Sequence, residues 1–213
     1  MAGHAFDYRT RWFLTGVGSL PDPVLAGLAH CPQRTVRELG AAFDMIVGTA
    51  PGVLSAELER RVCAVAVAAA SVEPLYRAGA VPCALVNLGL TQFNLAYADV
   101  IGDVICLATG LPQLVGGYAH MAIMPGPITG VGWMAGDADF IAGGELVEVK
   151  CVVSPRDSAT RAVRQLLVYA ARLRPTSAAL LLPRQHTLVR FDLAEHTGLL
   201  ADLDAEIELA YGR

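Results

Sequence analysis

Three residues in one short stretch have the types and spacing to do chemistry. They are Asp139, Glu148 and Lys150, within "GDADFIAGGELVEVKC", Gly136 to Cys151. Lys150 is the only lysine among the sixteen Lys and Arg residues, so a chain that otherwise writes arginine keeps one lysine two positions after a glutamate. In a strand, successive side chains point to opposite faces. Val147, Val149, Cys151 and Val153 therefore share an apolar face suited to packing on a helix, and Leu146, Glu148 and Lys150 share the other. On the preceding run, Asp139 between Ala138 and Phe140 can point the same way as Glu148.

Two carboxylates converging from adjacent strands suit a hard divalent cation such as Mg²⁺ or Mn²⁺, which prefers oxygen ligands and often takes only one or two protein carboxylates. Such an ion activates water and neutralises charge building on a phosphate. A lysine is a compact point charge on a flexible stem, whereas arginine is a planar fork, so the two do not substitute for one another there. Further along, Gln165 and Tyr169 are four residues apart and share a helical face. They lie at the edge of the stripe Ala162, Val163, Leu166, Leu167 and Ala170. Arg161, one turn before Gln165, is placed to meet a phosphate.

The elements that must position these groups are legible in outline. "ADFIA", Gly143-Gly144 and "ELVEVKCVV" read as two strands joined by a glycine turn. "SATRAVRQLLVYAARL" reads as a helix capped by Ser158 and stopped by Pro175. "SAALLLP" and "HTLVRFDL" read as strands, and "LLADLDAEIELAYG" as a closing helix. The glycine- and proline-rich run from Leu111 to Gly132 reads as turns and short strands. The order β-β-β-α-β-β-α is an α/β layer arrangement. Before it, "TVRELGAAFDMIVG", "SAELERRVCAVAVAAASVEPLYRAG" and "TQFNLAYADVIGDVICLATG" carry helical periodicity. Ser55 is the expected N-cap of the second, Gly79 its end and Pro74 a possible break. The expected division is a helical region 1–113 packed on an α/β core 114–213.

Composition narrows the classes. Hydrophobic residues are 54% and charged residues 17% of 213, enough apolar content for a sizeable core and not a disordered composition. The most apolar run, "VCAVAVAAASV", is too short for a bilayer crossing, and the N-terminus lacks a signal-peptide pattern; a cytoplasmic protein is expected. The five cysteines show no C-x-x-C spacing, so buried thiols are expected rather than a zinc site or disulfide framework. The net charge of −4 hides an asymmetry: seven arginines against Asp157 from Cys151 to Arg190, then six acids against Arg213. Such a basic stripe either binds phosphates or is an ordinary solvated face.

Gly136-x-x-Asp139, Glu148-x-Lys150 and Gln165-x-x-x-Tyr169 together resemble the PD-(D/E)XK nucleases, and the glutamine–tyrosine element resembles their RecB-like branch. The resemblance covers roughly the last hundred residues, where the family core runs α-β-β-β-α-β with a central mixed sheet flanked by helices. It implies a metal-dependent nuclease acting on DNA, in repair, recombination or phage defence. It makes Asp139 and Glu148 metal ligands for Mg²⁺ or Mn²⁺, and Lys150 the catalytic lysine. Gln165 and Tyr169 would help position nucleic acid or the active-site hairpin, and Arg161, Arg164 and the other arginines from Arg156 to Arg174 would contact phosphates. Asp137 is an alternative to Asp139. An additional ligand common in the family has open candidates in Glu57, Glu59 and His120. The four cysteines of the iron–sulfur branch are missing, so no such cluster is expected. No phosphate-binding loop of the G-x-x-x-x-G-K-[ST] type is present, so a motor would be a separate chain. The helical half would shape a substrate channel or mediate homo-oligomer assembly. Two other classes stay open: a nuclease-like fold that binds nucleic acid or a partner without cutting, and an assembly protein with an incidental acidic hairpin.

Overall fold

Helical periodicity in the first half becomes α1 (Ala2–Thr15), α2 (Asp22–Leu28), α3 (Gln33–Asp44), α4 (Ala56–Ala78), α5 (Ala84–Leu88), α6 (Leu90–Ala96), α7 (Ala98–Ala108) and α8 (Leu111–Val115). These belong to a computed structural model that describes residues 1–78, 82–125, 128–129 and 136–211. The chain divides into two units, Met1–Val115 and Gly116–Arg213.

In the first unit α4 is the central element. Ser55 caps it as its sequence suggests, accepting a bond from the Leu58 amide at 3.4 Å. The helix runs on through Pro74 instead of breaking there. The helix's own Val62, Ala66, Ala69, Val72 and Leu75 are buried, and this packing outweighs the local loss of one backbone bond. Gly79 lies outside the described residues. Gly27 of α2 allows close approach to α4, since a Cβ there would stand 2.5 Å from the Val72 carbonyl oxygen. The third expected helix is interrupted at Tyr97, giving α6 and α7.

The N-terminal helix α1 had no counterpart in the sequence reading, because charges interrupt its apolar pattern. Asp7 and Arg9 are nevertheless buried. Each is paired. Arg9 is held by both oxygens of Glu59, at 2.6 and 2.7 Å, and Asp7 pairs with Arg11 one turn on. Tyr8 donates to Glu73 at 2.6 Å. Buried charges are tolerated when paired and hydrogen-bonded, and the bonds to Glu59 and Glu73 tie α1 to α4.

The second unit is a five-stranded mixed sheet in the order β1-β4-β5-β6-β7, with a separate ribbon β2-β3. The strands are β1 (Ile123–Pro125), β2 (Ile128–Thr129), β3 (Gly136–Asp137), β4 (Phe140–Ala142), β5 (Glu145–Val149), β6 (Ser177–Leu182) and β7 (Thr187–Asp192). The helix α9 (Pro155–Leu173) links β5 to β6, which are parallel, and α10 (Thr197–Tyr211) closes the unit. The remaining pairs of the main sheet are antiparallel. Gly143 and Gly144 have φ of 57° and 90°, the two positive values a two-residue type I′ hairpin requires. They set the register Phe140↔Val147, Ile141↔Leu146, Ala142↔Glu145.

Two boundaries differ from expectation. Helix α9 begins at Pro155 after Ser154, so Ser158 lies within its first turns and is not the cap; proline at the first helical position is pre-set for the helix. Strand β5 ends at Val149, although the Lys150 amide still bonds the Leu181 carbonyl at 2.9 Å.

The face covered by α9 is also the reverse of the expected one. Leu146, Ala178, Leu166, Tyr169, Ala170, Leu200 and Ile207 form one core, with Ile141 and Phe191 against it. Helices α9 and α10 therefore cover the Leu146 face, not the face of Val147 and Val149. Both faces of β5 are buried, so apolar character could not distinguish them. No single helix among the described residues is long and apolar enough to cross a membrane.

Candidate active site

Glu148 follows Leu146 by two positions and faces the α9 side of the sheet, with Leu180 opposite it on β6. Its side chain is 1% exposed, and Oε1 is ion-paired to Nζ of Lys150, whose side chain is 25% exposed. A carboxylate this deep is costly unless a cation compensates it. Lys150, two residues on, does so.

Asp139 stands at the bend immediately before β4. Continuing the register Phe140↔Val147 by one position sets it across from Glu148. Its Oδ2 accepts a bond of 2.5 Å from the Val149 amide. That bond fastens Asp139 to the backbone next to Glu148, and a backbone N–H held by a carboxylate is a strong, charge-assisted contact.

Asp137 belongs to β3 in the separate ribbon, paired with Ile128. The chain bends between it and Asp139, so strand parity does not extend from one aspartate to the other. Its side chain lies outside the described ones. His120 is exposed and belongs to the opposite end of the hairpin. The neighbouring Ala122 carbonyl accepts from the Gly143 amide at 3.0 Å, at the turn, whereas Asp139 and Glu148 are at the open end. The structure therefore does not bring His120 to the carboxylates. Glu57 and Glu59 are engaged inside the helical unit, Glu57 with Arg61 at 2.8 Å and Glu59 with Arg9. Among the described residues no group of three or more His, Cys, Asp or Glu side chains is placed to hold a metal ion.

On α9, Gln165 donates from Nε2 to the hydroxyl of Tyr169 at 2.8 Å. Tyr169 is buried in the same core as Leu146, which puts this pair on the helix covering the Glu148 face. Arg161 and Arg164 are exposed on α9. Arg172 and Arg174 are not available to phosphates in the same way. Arg172 is ion-paired to Asp204 and Glu208, both at 2.6 Å, and Arg174 to Asp204 at 3.1 Å. These bonds hold the Asp204 carboxyl below its usual range and push Arg172 up. The acidic C-terminal run thus neutralises Arg172 and Arg174 within the basic stripe.

Two contacts escaped sequence reasoning. Gln185, in the turn after β6, donates to the Val152 carbonyl at 3.0 Å and the Val153 carbonyl at 3.3 Å, tethering the segment that follows Lys150. No local signal points to it, because its partners are over thirty residues away. On the opposite face, Tyr118 donates to Glu145, with Arg190 at 5.6 Å over its ring. Burial, then the bond to Glu145, pushes the Tyr118 hydroxyl up to about 12. It stays protonated and donates to Glu145. The Cys63 thiol is also pushed up, first by burial and then by Glu59, which leaves it a buried structural thiol.

The carboxylate oxygens of Asp139 and Glu148 are of the chemical type a hard cation takes. The two carboxylates stand at one end of a hairpin, and a positively charged ammonium already sits against one of them. In comparisons with known proteins, no family model matches the chain, and neither does any curated protein or solved structure.

Proposed function

We propose that the chain is a Mg²⁺- or Mn²⁺-dependent nuclease with a PD-(D/E)XK core of the RecB-like kind, hydrolysing phosphodiester bonds in DNA. One observation carries this reading. Buried Glu148, paired with Lys150, stands opposite Asp139 at the open end of a hairpin, on the sheet face covered by the helix that bears bonded Gln165 and Tyr169. With the separate β2-β3 ribbon set aside, the order β1, β4, β5, α9, β6 supports it, being the β-β-β-α-β order of that family's core. Asp139 and Glu148 would hold the ion, which when bound supplies an activated water and a positive field for the phosphate. Lys150 would place its ammonium against developing charge on the phosphoryl oxygens. Arg161 and Arg164 would contact backbone phosphates, giving salt-dependent binding with little sequence preference. Gln165 and Tyr169 would fix the helix face against the hairpin.

A second reading is a nuclease-like fold that binds without cutting. It is favoured by the engagement of Glu57 and Glu59 with arginines, which leaves the additional ligand unassigned. Cleavage of linear duplex and single-stranded DNA tests both. The expected result is divalent-dependent hydrolysis that EDTA abolishes. Asp139→Asn, Glu148→Gln and Lys150→Ala should each lower the rate on the order of 100-fold with circular dichroism unchanged. Wild-type rates in all three variants refute the proposal. An inert wild type that binds DNA and takes up no metal favours the second reading.

A further inference from the structure

Resting on the metal-site reading above, we infer that Lys150 is the built-in occupant of the cation position on Glu148. On this inference, metal binding and lysine release are one event. Glu148 is nearly inaccessible to water, so its charge must be compensated at all times. The ammonium of Lys150 does this through Oε1, and a carboxylate oxygen is also the ligand Mg²⁺ requires. A divalent ion and an ammonium on one carboxylate repel, so binding one expels the other.

The expelled group has a route outward. The Lys150 side chain is already a quarter exposed, its stem is flexible, and the backbone behind it is fixed by the bond from its amide to Leu181. Gln185 holds the next residues in place. The ammonium can therefore swing away from Glu148 while the strand stays still. An arginine would not serve. Its guanidinium grips a carboxylate through two parallel bonds and would yield less readily to a metal. This gives a physical reason for one lysine in a chain whose other basic residues are arginine. The site would be masked without metal, and coupling between two ligands is reciprocal: whatever factor Mg²⁺ applies to release of Lys150, Lys150 applies to the affinity for Mg²⁺.

The single lysine makes the test direct. The 213-residue chain grown with lysine ¹³C-labelled at Cε carries one such resonance, from Lys150. As Mg²⁺ is added, that resonance is expected to move to the position of a solvated lysine, in step with Mg²⁺ uptake measured by calorimetry. Lys150→Gln should bind Mg²⁺ on the order of 10-fold more tightly, and Lys150→Arg more weakly than wild type. A resonance that stays put while calorimetry records Mg²⁺ binding overturns the inference and leaves the metal site standing. Equal affinity of wild type and Lys150→Gln does the same. Absence of Mg²⁺ uptake in wild type and Lys150→Gln alike removes both the inference and the metal-site reading. The spectroscopic measurement uses unaltered protein, so it decides the matter even where a variant folds poorly.

Discussion

Glu148 and Lys150 differ in depth, and that difference predicts unequal costs for removing each partner. Lys150→Met leaves a carboxylate whose side chain is 1% exposed without its ammonium. Breaking a buried pair from one side costs about 3–5 kcal/mol. Water at the exposed quarter of the Lys150 site relieves part of this, so about 2–3 kcal/mol is expected. Glu148→Gln instead leaves an ammonium that extends into solvent on its own stem, and glutamine still accepts a hydrogen bond. Its cost should be about 1 kcal/mol. The double variant should lie within about 1 kcal/mol of Glu148→Gln alone, because the buried charge is gone. The assay is urea unfolding followed by far-UV circular dichroism in EDTA, with thermal scans alongside. For a chain of this size, about 2–4 °C of Tm accompanies each kcal/mol. Equal costs for the two single variants, or a double variant whose cost equals their sum, would refute the pairing and depth on which the site is built.

Three other outcomes are expected. Gly143→Ala forces a side chain into φ 57° and sets a Cβ 2.8 Å from the Met121 sulfur; it should cost about 1–2 kcal/mol in urea unfolding, and no loss would mean the type I′ turn is wrong. Burial raises the Asp7 carboxyl above its ordinary 3.8 despite Arg11, so its folded form binds the proton more tightly than the unfolded chain. Stability from this group is complete below 3.8 and is lost as pH rises through the raised folded value; wild type should therefore lose stability relative to Asp7→Asn over that window, and parallel urea midpoints across pH would count against it. Arg161→Ala and Arg164→Ala should each reduce the slope of log affinity for DNA against log salt by about 1, measured by fluorescence anisotropy; unchanged slopes would remove α9 from the interface.

The hairpin, the helix after it and the two strands and closing helix that follow were legible because each is written locally. Gly143-Gly144 meets a turn's demand for two positive φ values. Alternation assigns Glu148 and Lys150 to one face, and four-residue spacing pairs Gln165 with Tyr169. What covers a face is not a local property. Val147 and Leu146 are equally apolar, and only the path of α9 and α10 puts Leu146 and Glu148 beneath the helices. Helix α1 went unread for a related reason. The charges of Asp7 and Arg9 signal an exposed segment until α4 supplies Glu59 to one and local pairing supplies Arg11 to the other. The sequence by itself determined which residues share a strand face or a helix face, since that follows from backbone geometry. Tertiary structure decided which charges are buried, which arginines are neutralised and which face of the sheet carries the carboxylates under cover, because each depends on partners distant in the chain.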